Sequence, residues 1–149
     1  ETRWWTISGN PTPDGTMRGV MRDVTDSCKA EQRVARLARY DTLSGLANRH
    51  LFNETLADVL GGQVKNQNIA LLYIDLDHFK SVNDAFGHHI GDELVKASAS
   101  RIDALVREHD LAARLGGDEF AVLLTRVRDL EAAHQCARRI VDAMASPPP

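Results

Sequence analysis

Two groups of carboxylates stand beside apolar runs in this chain. Residues 116–120 read Gly-Gly-Asp-Glu-Phe between two apolar runs, where the glycines permit a tight hairpin turn with positive φ. Asp75 and Asp77 close another apolar run, residues 69–74. A fold that joins these places clusters acids at one end of a sheet, which is costly unless a cation neutralises them. Oxygen ligands suit Mg²⁺. An acidic cluster, Mg²⁺ and a glycine-lined turn together suggest nucleoside triphosphate chemistry.

The composition argues against several classes of protein. The chain has 149 residues, enough for a domain with its own core, and a formal net charge of −3. We expect no nucleic-acid partner, because no broad basic field is indicated, and no membrane contact, because the apolar runs are short. The opening residues hold no signal-peptide core. Cys28 and Cys136 match no metal or redox spacing, which favours free thiols and a cytoplasmic location.

The first 40 residues differ in character from the rest. Strand-like residues 4–7 and 19–24 flank a turn at residues 10–15. Residues 1–27 resemble the C-terminal end of a PAS sensor domain, and a disordered or tag-proximal leader is the alternative. Residues 28–40 are charged, with apolar side chains near a three-four spacing, which predicts a connector helix. This helix either pairs with its copy in a coiled coil or stays a solvated single helix.

The remaining elements predict an α/β (α+β) domain over residues 41–149. Asn48 can cap a helix that stops at Gly61 and Gly62, and residues 69–74 are typical of a central strand covered on both faces. Asp92 then opens a long helix, and a hairpin follows. A last helix carries apolar residues on one side: Leu130, Ala133, Ala137, Ile140, Val141 and Met144. This order predicts a ferredoxin-like fold with a central antiparallel sheet and flanking helices.

Four motifs follow one another after residue 40. The first reads Asp-x-Leu-Ser-Gly-Leu-x-Asn-Arg from Asp41, and the second runs from residue 75 to residue 88. The third is Gly91-Asp92-x-Leu94, and the fourth is the turn at residues 116–120. Together they resemble the diguanylate cyclase, or GGDEF, family over about residues 41–144. Ser44 stands where the family more commonly has threonine, a change that keeps the hydroxyl.

The resemblance implies a palm fold and an enzyme that condenses two GTP into cyclic di-GMP and two pyrophosphates. It implies Mg²⁺ or Mn²⁺, two ions per GTP, with four ligands: Asp75, the Leu76 carbonyl, Asp118 and Glu119. We assign the catalytic role chiefly to Asp118 and metal ligation to Glu119, although the two acids divide these tasks by analogy only. Asp77 has a supporting role. The predicted GTP contacts are Phe79, Lys80, Asn83, His88, Asp92, Gly116 and Gly117.

Two of these contacts predict the choice of base. An asparagine side chain such as Asn83 offers a donor and an acceptor together. The carboxylate of Asp92 can accept from N1–H and the exocyclic amine of guanine but would repel the adenine edge. The pair therefore favours GTP over ATP. Taken alone, Asp92 is also a good helix N-cap and Asn83 a turn residue.

A second ligand site is predicted at Arg107 and Asp110. They form an Arg-x-x-Asp motif five residues ahead of the turn, where the family places its inhibitory product site. We predict that they bind cyclic di-GMP as a stacked dimer and cause feedback inhibition. The alternative is an exposed ion pair at a helix end, which would contribute little.

The family continues beyond Met144 with a strand and a helix that the printed sequence lacks. We therefore expect a fold truncated before its last strand and helix, with an open edge at residues 69–74. We expect the fragment alone to be weakly active or inactive, or to borrow a strand from another chain. The enzyme hypothesis requires a homodimer behind an upstream PAS sensor. The alternatives are a non-catalytic receptor for GTP or cyclic di-GMP, and a dimerisation piece acting through residues 26–40.

Overall fold

The computed structural model describes residues 2–63 and 68–145, which form two units, residues 1–38 and 39–149. In the first unit, strands β1 (Trp5–Pro11) and β2 (Met17–Asp23) pair antiparallel, and all their residues are exposed. Helix α1 (Thr25–Arg39) follows and has no buried residue. The predicted hairpin and helix are therefore present. Their assignment to a PAS domain and a connector stays a prediction, as do the three domain boundaries.

The second unit is a three-stranded antiparallel sheet with helices on both faces. The strand order is β3-β5-β4, which confirms the predicted mixed fold with an antiparallel sheet. The elements are α2 (Arg49–Asp58), a short π-helix (Val59–Gln63), β3 (Asn68–Asp75), α3 (Phe79–Phe86), α4 (His88–Leu105), β4 (Leu111–Gly116), β5 (Glu119–Val127) and α5 (Leu130–Ala145). No helix among the described residues is long and apolar enough to cross a membrane.

The core lies on the two faces of β5, because alternate strand residues point to opposite sides. One face holds Phe120 and Val122, which pack with residues of α4 and α5 such as Ile102. The other face holds Ala121 and Leu123 and packs against α2. All five residues from Phe120 to Leu124 are buried. The hairpin β4–β5 is thereby held rigidly behind the turn that joins its strands.

The prediction that β3 is central and covered on both faces is wrong for the described residues. β3 lies at the edge of the sheet, and Leu71 and Tyr73 are 46% and 60% exposed. Its outer side borders an apolar groove that α4 and α5 also line. Of the apolar residues predicted on one side of the last helix, Ala133 and Ile140 are buried, whereas Leu130 and Val141 are 71% and 65% exposed.

The prediction that Asp92 opens the long helix is also wrong. α4 begins at His88, and the position before it is held by Gly87, whose φ of 86° separates α4 from α3. Asp92 therefore lies inside the helix and does not cap it. Asn83 lies inside α3 and not in a turn. The apolar spacing of Phe79, Val82 and Phe86 is helical, and the local turn propensity of Asn-Asp hid it.

Candidate functional site

The signature turn at residues 116–119 requires its two glycines for backbone reasons. Gly116 has a φ of 142° and Gly117 a φ of 52°, both in the region that favours glycine. A Cβ built on either residue would meet no atom within 4 Å. The requirement is therefore conformational, and the open space leaves the backbone of the turn accessible to a ligand.

The pairing of β3 with β5 places two acids side by side at this turn. Asp75, the last residue of β3, is the register partner of Glu119, the first residue of β5. Cα atoms of such partners lie about 4.5–5.5 Å apart. One residue further on, the Leu76 amide donates to the Asp118 carbonyl at 3.2 Å. The two acidic segments therefore meet at one end of the sheet.

The predicted ligand set is only partly assembled. Among the described residues, no three His, Cys, Asp or Glu side chains are grouped so that they could hold a metal ion. The Leu76 carbonyl accepts a hydrogen bond from the Phe79 amide at 3.2 Å. Asp75 and Glu119 nevertheless fit a hard divalent cation, because they supply oxygen ligands and their like charges repel each other across the strand pair.

Arg49 supplies a positive charge to this acidic end. Its Nη2 lies 3.3 Å from Oε2 of Glu119, and its Nε donates to the Leu115 carbonyl at 2.9 Å. The preceding residue, Asn48, caps α2 through a 2.9 Å hydrogen bond from the Leu51 amide, as predicted. The helix cap thus fixes the place from which Arg49 reaches Glu119.

Arg114 links the first motif to the signature turn. Its Nη1 lies 3.0 Å from Oδ1 of Asp41, and its Nε and Nη2 donate to the Gly117 carbonyl at 3.1 and 2.8 Å. Burial raises the pKa of Asp41, but hydrogen bonds from Ser44 and Arg114 outweigh it, so that the pKa lies below its usual value. Sequence reasoning missed Arg114, although a charge within the apolar run 111–115 was a signal.

Asn83 and Asp92, the predicted base readers, lie on neighbouring helices that approach closely at Gly91. A Cβ on Gly91 would lie 2.0 Å from Oδ1 of Asn83. That Oδ1 atom is buried and has no hydrogen-bond partner among the described residues. Asp92, the next residue along α4 after Gly91, is exposed.

The other predicted GTP contacts lie around α3. Phe79 begins α3 and is half-buried, whereas Lys80 is exposed. His88 is exposed and begins α4. These residues follow the acidic end of β3 directly in the chain. The roles of Phe79, Lys80 and His88 as GTP contacts stay predictions.

Arg107 and Asp110 lie at the opposite end of the sheet. The Asp110 side chain is 4% exposed, and its Oδ1 accepts from the Thr125 amide at 2.7 Å, so the exposed ion pair that we considered does not describe it. Both residues line a pocket of about 390 Å³ together with Arg126, Arg128 and Arg139. With a rise of about 3.3 Å per residue along β5, this pocket lies roughly 23 Å from Glu119.

The comparison with protein families is decisive. Residues 38–149 match the family described as "Diguanylate cyclase, GGDEF domain". The chain belongs to this family. A solved structure of the coiled coil and GGDEF domain of DgcB from Caulobacter crescentus, in complex with c-di-GMP, matches with a TM-score of 0.72 and 31% identity. That match covers 78% of this chain and 61% of the DgcB chain.

Two curated relatives show how GGDEF domains occur within larger proteins. The probable diguanylate cyclase DgcE of Escherichia coli is 41% identical over 146 residues, 94% of this chain and 13% of DgcE. The cyclic di-GMP phosphodiesterase NbdA of Pseudomonas aeruginosa is 40% identical over 119 residues, 79% of this chain and 15% of NbdA. The chain therefore spans less than a fifth of the length of either relative.

Proposed function

We propose that this GGDEF chain is the synthetic unit of a diguanylate cyclase, which condenses two GTP into cyclic di-GMP with release of two pyrophosphates. The observation that carries the proposal is the pairing of Asp75 with Glu119 beside an accessible glycine turn. Degenerate receptors usually lose one of the signature acids, and here Asp75, Asp118 and Glu119 are all present. The likeness to DgcE, a probable diguanylate cyclase, supports the same activity.

The acids and the glycine turn have separate tasks in this reaction. Asp118 accepts the proton of the 3′-hydroxyl, whose oxygen forms a bond to the α-phosphorus of the second GTP as the bond to pyrophosphate breaks. Asp75, Glu119 and the Leu76 carbonyl would hold Mg²⁺ or Mn²⁺, which would neutralise charge on the acids and on the triphosphate. Gly116 and Gly117 let the backbone approach the phosphates. Positioning of this kind supplies much of the catalysis in phosphoryl-type transfer.

The groups around α3 select and hold the nucleotide. Lys80 and the backbone at Phe79 contact phosphate oxygens, and His88 orders the loop at the start of α4. Asn83 and Asp92 read the guanine edge. The buried Oδ1 of Asn83 supports this assignment, because an unsatisfied acceptor gains a partner when guanine donates to it or when the amide turns to expose its donor.

Regulation involves a second copy and the arginine-lined pocket. Each domain holds one GTP, so two domains face each other in a homodimer, and an upstream PAS sensor acts through residues 28–40 in the cytoplasm. Arg107 and Asp110 bind the product and inhibit the enzyme. The arginine lining supports anion binding there, and the DgcB structure was determined in complex with c-di-GMP.

A receptor without synthesis is the second candidate function. The observation that favours it is the same pocket, because four arginines and a buried acid can bind a cyclic dinucleotide without any turnover elsewhere. Some relatives with this domain, such as NbdA, carry the name of a phosphodiesterase and not of a cyclase. The cyclase needs the acidic end of the sheet for GTP turnover, whereas the receptor does not use it.

GTP turnover with Mg²⁺, followed by chromatography of cyclic di-GMP, separates the two functions. The assay compares this chain with a longer version of it, extended after residue 149 by the strand and the helix that the family has there. We expect product from the longer version and little from the shorter one. If neither makes product while labelled cyclic di-GMP binds to both, the receptor function replaces the cyclase.

A further inference from the structure

The end of β5 carries a bulge with an unusual residue in it. Asn68 pairs with Val127 and Ala70 pairs with Leu124, so Thr125 and Arg126 together oppose the single residue between them on β3. Arg126 has a φ of 55°. Glycine is the usual residue for such a conformation in a bulge, because a Cβ is strained there. A residue other than glycine is uncommon at such a φ, which draws attention to what surrounds Arg126.

The bulge is held in place from the start of β4. The Thr125 amide donates to Oδ1 of Asp110 at 2.7 Å, and the Thr125 hydroxyl donates to the His109 carbonyl at 2.8 Å. The side chain of Asp110 is 4% exposed, so its contact with the Thr125 amide is partly shielded from water, whereas the contact of the Thr125 hydroxyl is exposed. The Arg-x-x-Asp motif therefore fixes the bulge as well as placing Arg107.

The pocket beside the bulge has an excess of positive charge. Its lining contains four arginines, Arg107, Arg126, Arg128 and Arg139, and a single acid, Asp110. Nε of Arg128 lies 2.8 Å from Oδ2 of Asp129, which partly neutralises the charge of Arg128. Oδ1 of Asp110 already accepts a hydrogen bond from the Thr125 amide. Guanidinium groups gathered around a concave surface match phosphate oxygens, which they bind through paired hydrogen bonds.

We propose that Arg126 binds a phosphate group of the ligand in this pocket, and that Asp110, besides its own proposed contact with the product, holds the bulge that presents Arg126. The inference rests on the product site proposed above and adds to it a residue outside the Arg-x-x-Asp motif. The ligand carries a phosphodiester or phosphate group. The two sources of such a group are the cyclic dinucleotide and the pyrophosphate released by the proposed reaction.

The test replaces Arg126 with glycine, which tolerates a positive φ, and with lysine, which keeps the positive charge. Arg126→Gly removes the guanidinium and relieves the backbone, so its melting temperature should equal or exceed that of the parent. Its affinity for cyclic di-GMP, measured by calorimetry, should fall about tenfold or more, which is the loss of a charge-assisted hydrogen bond. Arg126→Lys should recover part of the affinity. The matched control is Arg138→Ala, an exposed arginine on α5 beside Arg139, which should bind as the parent does.

Cys136 gives a second readout because it lines the same pocket. Burial raises the pKa of its thiol, against the opposing effect of Arg139. In a Cys28→Ser background, modification of Cys136 by a thiol reagent should slow when cyclic di-GMP is added, and Arg126→Gly should weaken this protection. Pyrophosphate is tested in parallel as the second source of phosphate.

The outcomes separate the inference from the product site itself. If Arg126→Gly binds as tightly as the parent while Arg107→Ala does not, the inference is overturned and the product site stands. If only pyrophosphate protects Cys136, and does so through Arg126, the product site fails and the inference stands. If neither cyclic di-GMP nor pyrophosphate protects Cys136, both the inference about Arg126 and the product site are overturned. A lower melting temperature for Arg126→Gly would overturn the argument from backbone strain.

Discussion

The two ends of the sheet carry opposite charges, and different neighbouring groups balance those charges. At one end, Asp75 and Glu119 face each other, and Arg49 approaches only Glu119. At the other end, arginines line a pocket whose single acid is already occupied. The first end therefore has an excess of negative charge and the second an excess of positive charge. Roughly 23 Å separates the proposed nucleotide and metal site at one end from the proposed anion site at the other.

Strand β5 belongs to both ends. It begins at Glu119 and reaches the bulge at Arg126, and the residues between are buried without interruption from 120 to 124. Glycines at 116 and 117 leave open space at the first end, whereas an arginine with a positive φ stands at the second. Under the two proposals, unusual backbone serves opposite purposes: it removes side chains where phosphates approach and presents one where a phosphate is held.

The largest expected effect comes from the acidic end. Asp75→Asn removes a proposed metal ligand and should lower GTP turnover by at least about a hundredfold. The measurement is the initial rate of cyclic di-GMP formation in the longer version of the protein. Asp77→Asn is the matched control, because Asp77 follows β3 and its expected role is only supporting. If Asp75→Asn and Asp77→Asn lowered GTP turnover equally, the distinction between Asp75 as a metal ligand and Asp77 as a supporting residue would be contradicted.

The next effect comes from the basic end. Arg107→Ala should raise the concentration of cyclic di-GMP that halves the turnover by about ten- to a hundredfold, because a charge-assisted contact to the ligand is lost. Inhibition curves measured on the parent and the variant check this. Arg138→Ala controls for the loss of one positive charge on α5. An unchanged inhibition curve for Arg107→Ala would refute the product site.

A third prediction concerns the nucleotide-reading helices. Gly91→Ala places a Cβ 2.0 Å from Oδ1 of Asn83, so Asn83 must move. We expect the KM for GTP to rise about tenfold and the free energy of unfolding to fall by about 1–3 kcal/mol. Gly61→Ala is the control, since its Cβ would meet nothing within 4 Å. A normal KM for Gly91→Ala would argue against a role of Asn83 in binding.

The smallest effect concerns the brace between Asp41 and Arg114. Asp41→Asn should lower the free energy of unfolding by about 1–2 kcal/mol at neutral pH. A neutral amide then replaces the charged carboxylate that accepts hydrogen bonds from Ser44 and Arg114. The pKa of Asp41 is lowered by folding, so its contribution is complete above the ordinary value of 3.8 and disappears as the pH falls through the lowered value.

Denaturant unfolding of the parent and Asp41→Asn at several pH values measures this dependence. The difference between the two proteins should be constant near neutrality and should narrow in the acid range below the ordinary pKa of Asp41. A difference that widens as the pH falls would show that Asp41 is not stabilised as a carboxylate.

The sequence predicted the parts of the fold that depend on local pattern. The hairpin of β4 and β5, the glycine turn and the cap at Asn48 follow from residue types at fixed spacings, and the structure contains all three. It failed where neighbouring elements decide the outcome. Asp92 has the chemistry of an N-cap, but α4 packs against α3 and begins at His88.

The candidate site was predictable to a different extent at each end. The acids were found because carboxylates beside glycines are unusual and their spacing is that of a family. The contacts of Arg49 with Glu119 and of Arg114 with Asp41 were missed because they join positions far apart in the chain. The φ of Arg126 in particular has no signal in a sequence that reads Leu-Thr-Arg-Val.

The most direct test of two separate ends is a calorimetric titration of cyclic di-GMP into Glu119→Gln. This variant alters the acidic end and leaves the arginine-lined pocket untouched. We predict that it binds cyclic di-GMP with the affinity of the parent chain while it has lost GTP turnover. A loss of cyclic di-GMP binding in Glu119→Gln would contradict the account, because the product would then bind at the signature turn.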